Sequence, residues 1–327
     1  MDTAAPAIEI GLNAVIVAVT HPTPLVLAIG GSGPDVPESL PFGPFDPVHH
    51  RTFEIGLRAW VEQQTALRLG YVEQLYTYGD RGRHTQPGDQ GPHVVSVGYL
   101  ALARQSADSE AALVRARASW RPWYDYFPWE DWRERRPAML DDVILPALDN
   151  WAQAPLNEGD AARAARRQDR LRLSFGGDGN LWDEERALER YELCYEVGLL
   201  AEAERDGRPL APGLETRPYM GRAMQYDHRR ILATAITRLR GKLKYRPVIF
   251  ELMPKAFTLT ELQHTVEAIS GRHLHKQNFR RLVETTELVE PTGASTSRTG
   301  GRPAALFRFR RQVLRERPSP GLRVGVR

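Results

Sequence analysis

Two stretches, "TLTELQHTVEAISG" (258–271) and "KQNFRRLVETT" (276–286), decide how the C-terminal end of this chain folds. Thr258, followed three residues later by Glu261, is the pattern of a capping box, in which side chains satisfy the free N–H groups of a helix start. Leu259, Leu262, Val266 and Ile269 recur at helical spacing and make one apolar face. The stretch ends at Gly271, and a tight turn follows it. A second helix is expected from Lys276, with Phe279, Leu282 and Val283 inward. That leaves Lys276, Gln277, Asn278, Arg280 and Arg281 on the outer face. Two short helices joined by a tight turn predict a helix-turn-helix.

The residues that follow extend the pattern. "LVEPT" (288–292) and "AALFRFR" (304–310) read as strands, joined by the glycine-rich loop "GASTSRTGGRP". A helix-turn-helix followed by a β-hairpin is a winged helix. Arg, Lys, Gln and Asn at the start of a recognition helix offer the donors and acceptors that read base edges in the major groove. Arginines in a wing suit the narrower, more negative minor groove. The candidate DNA contacts are Thr260 and Gln263 in the first helix, the five outer residues of the second, and Ser297, Arg298, Thr299 and Arg302 in the wing.

Charge is distributed accordingly. Residues 238–327 hold 19 Lys+Arg against 7 Asp+Glu, whereas residues 1–237 hold 25 against 34. An acidic body carrying a basic module points to a polyanionic partner. Cys194 is the single cysteine, so neither an intramolecular disulfide nor a Cys-based zinc site is possible. No apolar run approaches the roughly 20 residues of a membrane span. The acidic N-terminus lacks the basic start of a secretory signal. A cytoplasmic location is expected.

Upstream, "IEIGLNAVIVAV" (8–19) and "LVLAIG" (25–30) read as a strand pair and 31–47 as a loop. Residues 49–70 read as a helix, and "YVEQLYTYGD" (71–80) and "VVSVGYLALA" (94–103) as further strands. Over 104–225 strand signals vanish. The clearest helices there are 135–154 and 183–207, and 119–132 concentrates aromatic side chains. A further helix, 227–245, leads into the basic end.

Taken together, "YDHRRILATAITRLRGKLKY", the helix-turn-helix stretch with its Asn278-Phe279-Arg280-Arg281 step, and Gly301-Arg302-Pro303 resemble the C-terminal half of Nudix-related transcriptional regulators of NAD metabolism, the NrtR group. The N-terminal strands are similar to that group's Nudix-fold strands. The enlarged middle resembles the NadQ branch. The resemblance implies an α+β fold: a Nudix-like α/β/α sandwich over 1–240 with a helical insertion over about 104–225, then a winged helix over 241–327.

Against the Nudix pattern G-x5-E-x7-R-E-U-x-E-E-x-G-U, the stretch "RAWVEQQT" (58–65) keeps Arg58 and Glu62. Ala59 and Gln63 replace metal-binding glutamates, His50 stands at the upstream one, and Thr65 replaces the glycine. One carboxylate of four is too few to hold Mg²⁺ or Mn²⁺ against a pyrophosphate. No metal, no cofactor and no catalysis are expected. The function implied is a repressor of NAD biosynthesis genes whose inactive Nudix-like domain senses an NAD-related or adenine nucleotide such as ATP, NAD or ADP-ribose. The partners implied are a palindromic operator and a second copy of the chain. Arg51, Arg58, Arg81, Arg83 and His84 are candidates for effector phosphates, and Trp123 and Tyr124 for stacking on a base. The competing reading is a pyrophosphohydrolase with an accessory nucleic-acid module.

Overall fold

The computed structural model describes residues 8–30, 36–80, 92–105, 107–154, 161–297, 303–318 and 320–322. Strand β1 (Ile8–Thr20) is its axis. Gly11 to Ala18 are all buried, as a strand covered on both faces requires. β1 pairs antiparallel with β2 (Thr23–Ile29) and with the short β3 (Phe42–Pro44). It pairs parallel with β5 (His93–Leu102), whose other edge takes β4 (Tyr71–Tyr78). The main sheet runs β4-β5-β1-β2-β6, with β6 at Ala118–Pro122.

Alternate residues of β1 feed two cores. Leu12, Ala14 and Ile16 pack with Leu57 and Val61 of helix α1 (Phe53–Thr65) and with Leu113 of α2 (Ala107–Arg115). Val15 and Val17 join the core that holds Ile231 and Ala235 of helix α7 (His228–Tyr245). Helices thus cover both faces, and the expected α/β/α sandwich forms. α7 lies so close that a Cβ on Gly98 of β5 would sit 2.9 Å from Ile231.

The insertion contributes α3 (Leu145–Gln153), α4 (Ala161–Phe175), α5 (Ala187–Glu196) and α6 (Ala201–Arg205). Three sequence expectations are corrected here. Residues 118–122 form the edge strand β6, paired with β2, where no strand was expected. β3 breaks the expected loop. The helix expected over 183–207 is interrupted at Gly198, which takes φ +83 where a Cβ would fall 2.0 Å from the Pro209 carbonyl oxygen. The aromatic stretch 119–132 fills the core: Trp123, Tyr126, Phe127 and Trp129 are all fully buried. It lies in one hydrophobic cluster with α5, α7 and the C-terminal helices.

After α7 come α8 (Ile249–Leu252), α9 (Leu259–Ser270) and α10 (Lys276–Thr286). β7 (Val289–Thr296), β8 (Ala304–Phe309) and α11 (Val313–Glu316) complete the chain. α7 runs unbroken through residue 240, so a boundary at 240/241 cuts a helix whose two ends serve both halves.

A buried ionic clasp holds insertion, sheet helix and helix-turn-helix together. Glu130 accepts Nε and Nη2 of Arg190 at 2.6 and 2.8 Å and Nη1 of Arg240 at 2.6 Å. All three residues are essentially without solvent exposure. Their remaining donors go to carbonyls: Arg190 to Ser174 and Asp183, and Arg240 to Glu184 and to Ile269 at the end of α9. Removing one partner of such a cluster strands a buried charge.

Glu130→Gln is therefore expected to cost roughly 3–5 kcal/mol of stability by urea denaturation. Burial alone would raise the Glu130 pKa, but Arg190 and Arg240 hold it below the usual carboxylate value. Its contribution is thus present above the unfolded value of about 4.3 and is lost as pH falls through the folded one. The parent should lose stability in that acid range more steeply than the Gln variant.

Candidate nucleic-acid interface

The capping box forms as expected. Glu261 N–H donates to Thr258 Oγ1 at 3.1 Å, and Thr258 N–H donates to Glu261 Oε2 at 2.7 Å. Gly271 closes α9 at φ +74, where a Cβ would meet the Glu130 carbonyl oxygen at 2.5 Å. Its own carbonyl accepts Trp132 N–H at 2.8 Å, tying the turn to the insertion. Leu262, Val266 and Ile269 of α9 and Phe279 and Val283 of α10 are buried together. The turn between the helices is clasped from α9. Glu267 accepts Leu274 N–H at 2.8 Å, and Gln263 donates to Glu267 at 3.0 Å and to the Leu274 carbonyl at 2.7 Å.

The outer face of α10 presents Lys276, Gln277, Asn278, Arg280 and Arg281. All five are exposed, and none has a side-chain hydrogen bond or ion pair among the described residues. The hairpin follows. Phe257 and Phe307 exchange backbone hydrogen bonds at 2.9 and 2.8 Å and add a third strand position to β7–β8. Phe309 stacks on Phe250 of α8 with ring centroids 4.4 Å apart. These phenylalanines are packing residues, which leaves recognition to the polar side chains.

Thr260 and Ser297 are exposed, as a contact role requires. Gln263 is not: it is 7% exposed and its amide is committed to the turn, so it is a structural residue and not a base reader. Arg298, Thr299 and Arg302 lie outside the described residues.

The effector candidates divide similarly. Arg81, Arg83 and His84 lie outside the described residues. Arg51 is exposed. Arg58 pairs with Glu54 and donates to the carbonyls of Leu69 and Gly70, so its guanidinium holds the end of α1 against the start of β4. Trp123 is fully buried. Tyr124 is 7% exposed and donates to the Ala268 carbonyl at 2.8 Å. Neither presents a face to a ligand, because both are packed under the helix-turn-helix; the stacking expectation is corrected. On α1, Glu62 pairs with Arg68 at 3.0 Å. Two further polar residues, His228 of the stretch that carries the family resemblance and Glu38, lie near the start of α7. His228 Nδ1 accepts Leu40 N–H at 3.0 Å, and buried Glu38 binds Arg121 and Arg222 at 2.7 and 3.0 Å. They pin the segment leading to α1 against the start of α7.

Gln263→Ala removes two hydrogen bonds from a buried turn. It should cost about 1–3 kcal/mol in denaturant unfolding, and the folded variant should discriminate between DNA sequences as the parent does in fluorescence anisotropy.

The NrtR DNA-binding winged helix domain family matches residues 249–309. A relative from Acinetobacter baylyi, named ADPR responsive transcriptional repressor NtrR, is 43% identical over 86 residues. That match covers 26% of this chain and spans about a third (34%) of the relative. Among solved structures, Shewanella oneidensis NrtR complexed with a 27mer DNA aligns with a TM-score of 0.54 at 21% identity, covering 96% of this chain and 98% of that one. A MutT/nudix family protein from Enterococcus faecalis aligns with a TM-score of 0.50 at 14% identity, over 95% and 88% of the two chains. At these identities the structural likeness is one of fold. Residues 249–309 thus match the NrtR DNA-binding winged helix family, and the chain as a whole shares the fold of these solved structures.

Proposed function

We propose that this chain is a ligand-responsive transcriptional repressor of NAD biosynthesis genes, sensing ADP-ribose or a related adenine nucleotide through a Nudix-like domain that no longer hydrolyses. The observation that carries the reading is the outer face of α10. Five polar and basic side chains stand exposed there without partners among the described residues, on a helix anchored by Phe279 and Val283. A face so presented suits base edges and phosphates. The name of the Acinetobacter relative supports ADP-ribose as effector. The helical insertion supports placement in the NadQ branch, and the absence of a helix long and apolar enough to cross a membrane, among the described residues, is consistent with a cytoplasmic regulator.

Loss of hydrolysis is supported by α1. Ala59 and Gln63 stand where glutamates would hold a divalent cation, and each of the carboxylates Glu54 and Glu62 is paired with an arginine. The hydrolase reading is disfavoured on that ground. Effector contacts are assigned to Arg51 and to Arg81, Arg83 and His84. A single winged helix reads a short half-site, so a homodimer on a palindromic operator follows. The wing residues Arg298 and Arg302 are assigned to the minor groove or backbone.

Asn278→Ala or Gln277→Ala should cost about 1–3 kcal/mol on operator DNA and relax preference at one position. Arg298→Ala should weaken binding to all sequences and lower the salt slope by about 1. Anisotropy on operator and scrambled duplexes over a salt series checks both. Saturating ADP-ribose should raise the thermal midpoint with no AMP released in Mg²⁺ or Mn²⁺. Release of AMP that Glu62→Gln abolishes would restore the hydrolase reading.

A further inference from the structure

Helix α4 carries five arginines and one aspartate in fifteen residues, although it belongs to the acidic part of the chain. Burial sorts the helix into two faces. Leu171, Ser174 and Phe175 are buried, while Arg166, Arg170 and Arg172 are exposed. Two of the basic side chains are balanced locally, Arg170 by Glu196 at 2.7 Å and Arg172 by Asp178 at 2.8 Å. Arg167 has no acidic partner among the described residues. Its guanidinium lies 4.6 Å over the Trp151 ring and donates to the Trp151 carbonyl at 3.0 Å, which holds the charge in a fixed position. Arg170 approaches the same ring at 5.8 Å. Arg166 has no hydrogen bond or ion pair among the described residues. Arg166, Arg167, Arg170 and Glu196 together line an open cavity of about 420 Å³.

The position of this helix matters as much as its charge. Phe175 at its C-terminal end packs on Trp182 at 6.1 Å, and Trp182 packs on Trp132 at 4.5 Å. The Trp182 carbonyl accepts Arg272 Nη2 at 2.6 Å. Arg272 lies in the turn immediately before α10. Arg170 stands five residues up a helix whose end leans on the helix-turn-helix turn, and Arg167 and Arg166 stand eight and nine residues up it, roughly 12–14 Å along its axis at 1.5 Å per residue.

We propose that α4 is a second DNA contact surface, binding backbone phosphates that flank the segment read by α10. The chemistry is that of a duplex phosphate backbone: a pinned guanidinium beside an exposed one, both charged donors with no acceptor of their own. The proposal rests on the DNA-binding reading of α10, and the experiment separates the two.

Full-length protein is titrated against random-sequence duplexes of 12 and 40 base pairs over a salt series. The variants are Arg166→Gln, Arg166→Gln/Arg167→Gln and Arg280→Gln/Arg281→Gln. Arg166 is exposed and has no partner among the described residues, so the single variant is expected to keep the fold, which thermal melting verifies. The α4 variants should lose about eightfold in affinity per contact at 0.1 M monovalent salt on the 40-base-pair duplex. That figure follows from a slope of about 0.9 per phosphate referred to 1 M. The salt slope should fall in step, with the 12-base-pair duplex bound as by the parent. The α10 variant should lose affinity on both lengths. Unchanged affinity and slope of both α4 variants on the long duplex, or an equal loss on both duplexes, overturns the proposal while leaving α10 as the reader. An α10 variant that binds both duplexes like the parent overturns the reading on which the proposal rests.

Discussion

Glu130 is the constraint on which the arrangement of this chain depends. Its carboxylate is buried between Arg190 of α5 and Arg240 of α7, and Arg240 reaches on to the Ile269 carbonyl at the end of α9. A buried ion cluster is tolerated only when every charge keeps its partners. The insertion, the helix that covers the sheet and the first helix of the winged helix must therefore hold one mutual position. Gly271 shows the same closeness from the other side, because its left-handed turn lies against the Glu130 carbonyl with no room for a side chain. One hydrophobic cluster runs through all three regions, so the winged helix is packed onto the body and is not merely tethered to it.

Helix α1 is held in the sandwich by contacts that owe nothing to metal-binding carboxylates. Leu57 and Val61 fill the sheet core, Gln64 exchanges hydrogen bonds with the backbone of Phe42, and the Trp60 indole donates to the Pro44 carbonyl. Arg58 fastens the following loop. Each of these jobs is independent of the glutamates that a Nudix hydrolase places on this helix. Ala59 and Gln63 can therefore stand there at no cost to the sandwich.

The winged helix was legible because its signals are local. Thr258 and Glu261 make a capping box within one turn, and Phe279 and Val283 mark the inner face of α10 at helical spacing. The polar outer face of α10 follows by subtraction. The strands β1, β2, β4 and β5 were legible for a related reason, since apolar runs of that length between turn residues suit few other structures.

What the sequence alone determined is the set of elements that local periodicity and capping encode. Tertiary structure decided the rest, because partners distant in sequence set it. Residues 118–122 become a strand only through pairing with β2, and the helix expected over 183–207 breaks because Gly198 must pass the Pro209 carbonyl. Gln263, Trp123 and Tyr124 have the chemistry of contact residues, yet burial assigns them to the turn and the core. A side chain's type states what it is able to bind. Only its exposure and its committed hydrogen bonds state whether it is free to do so.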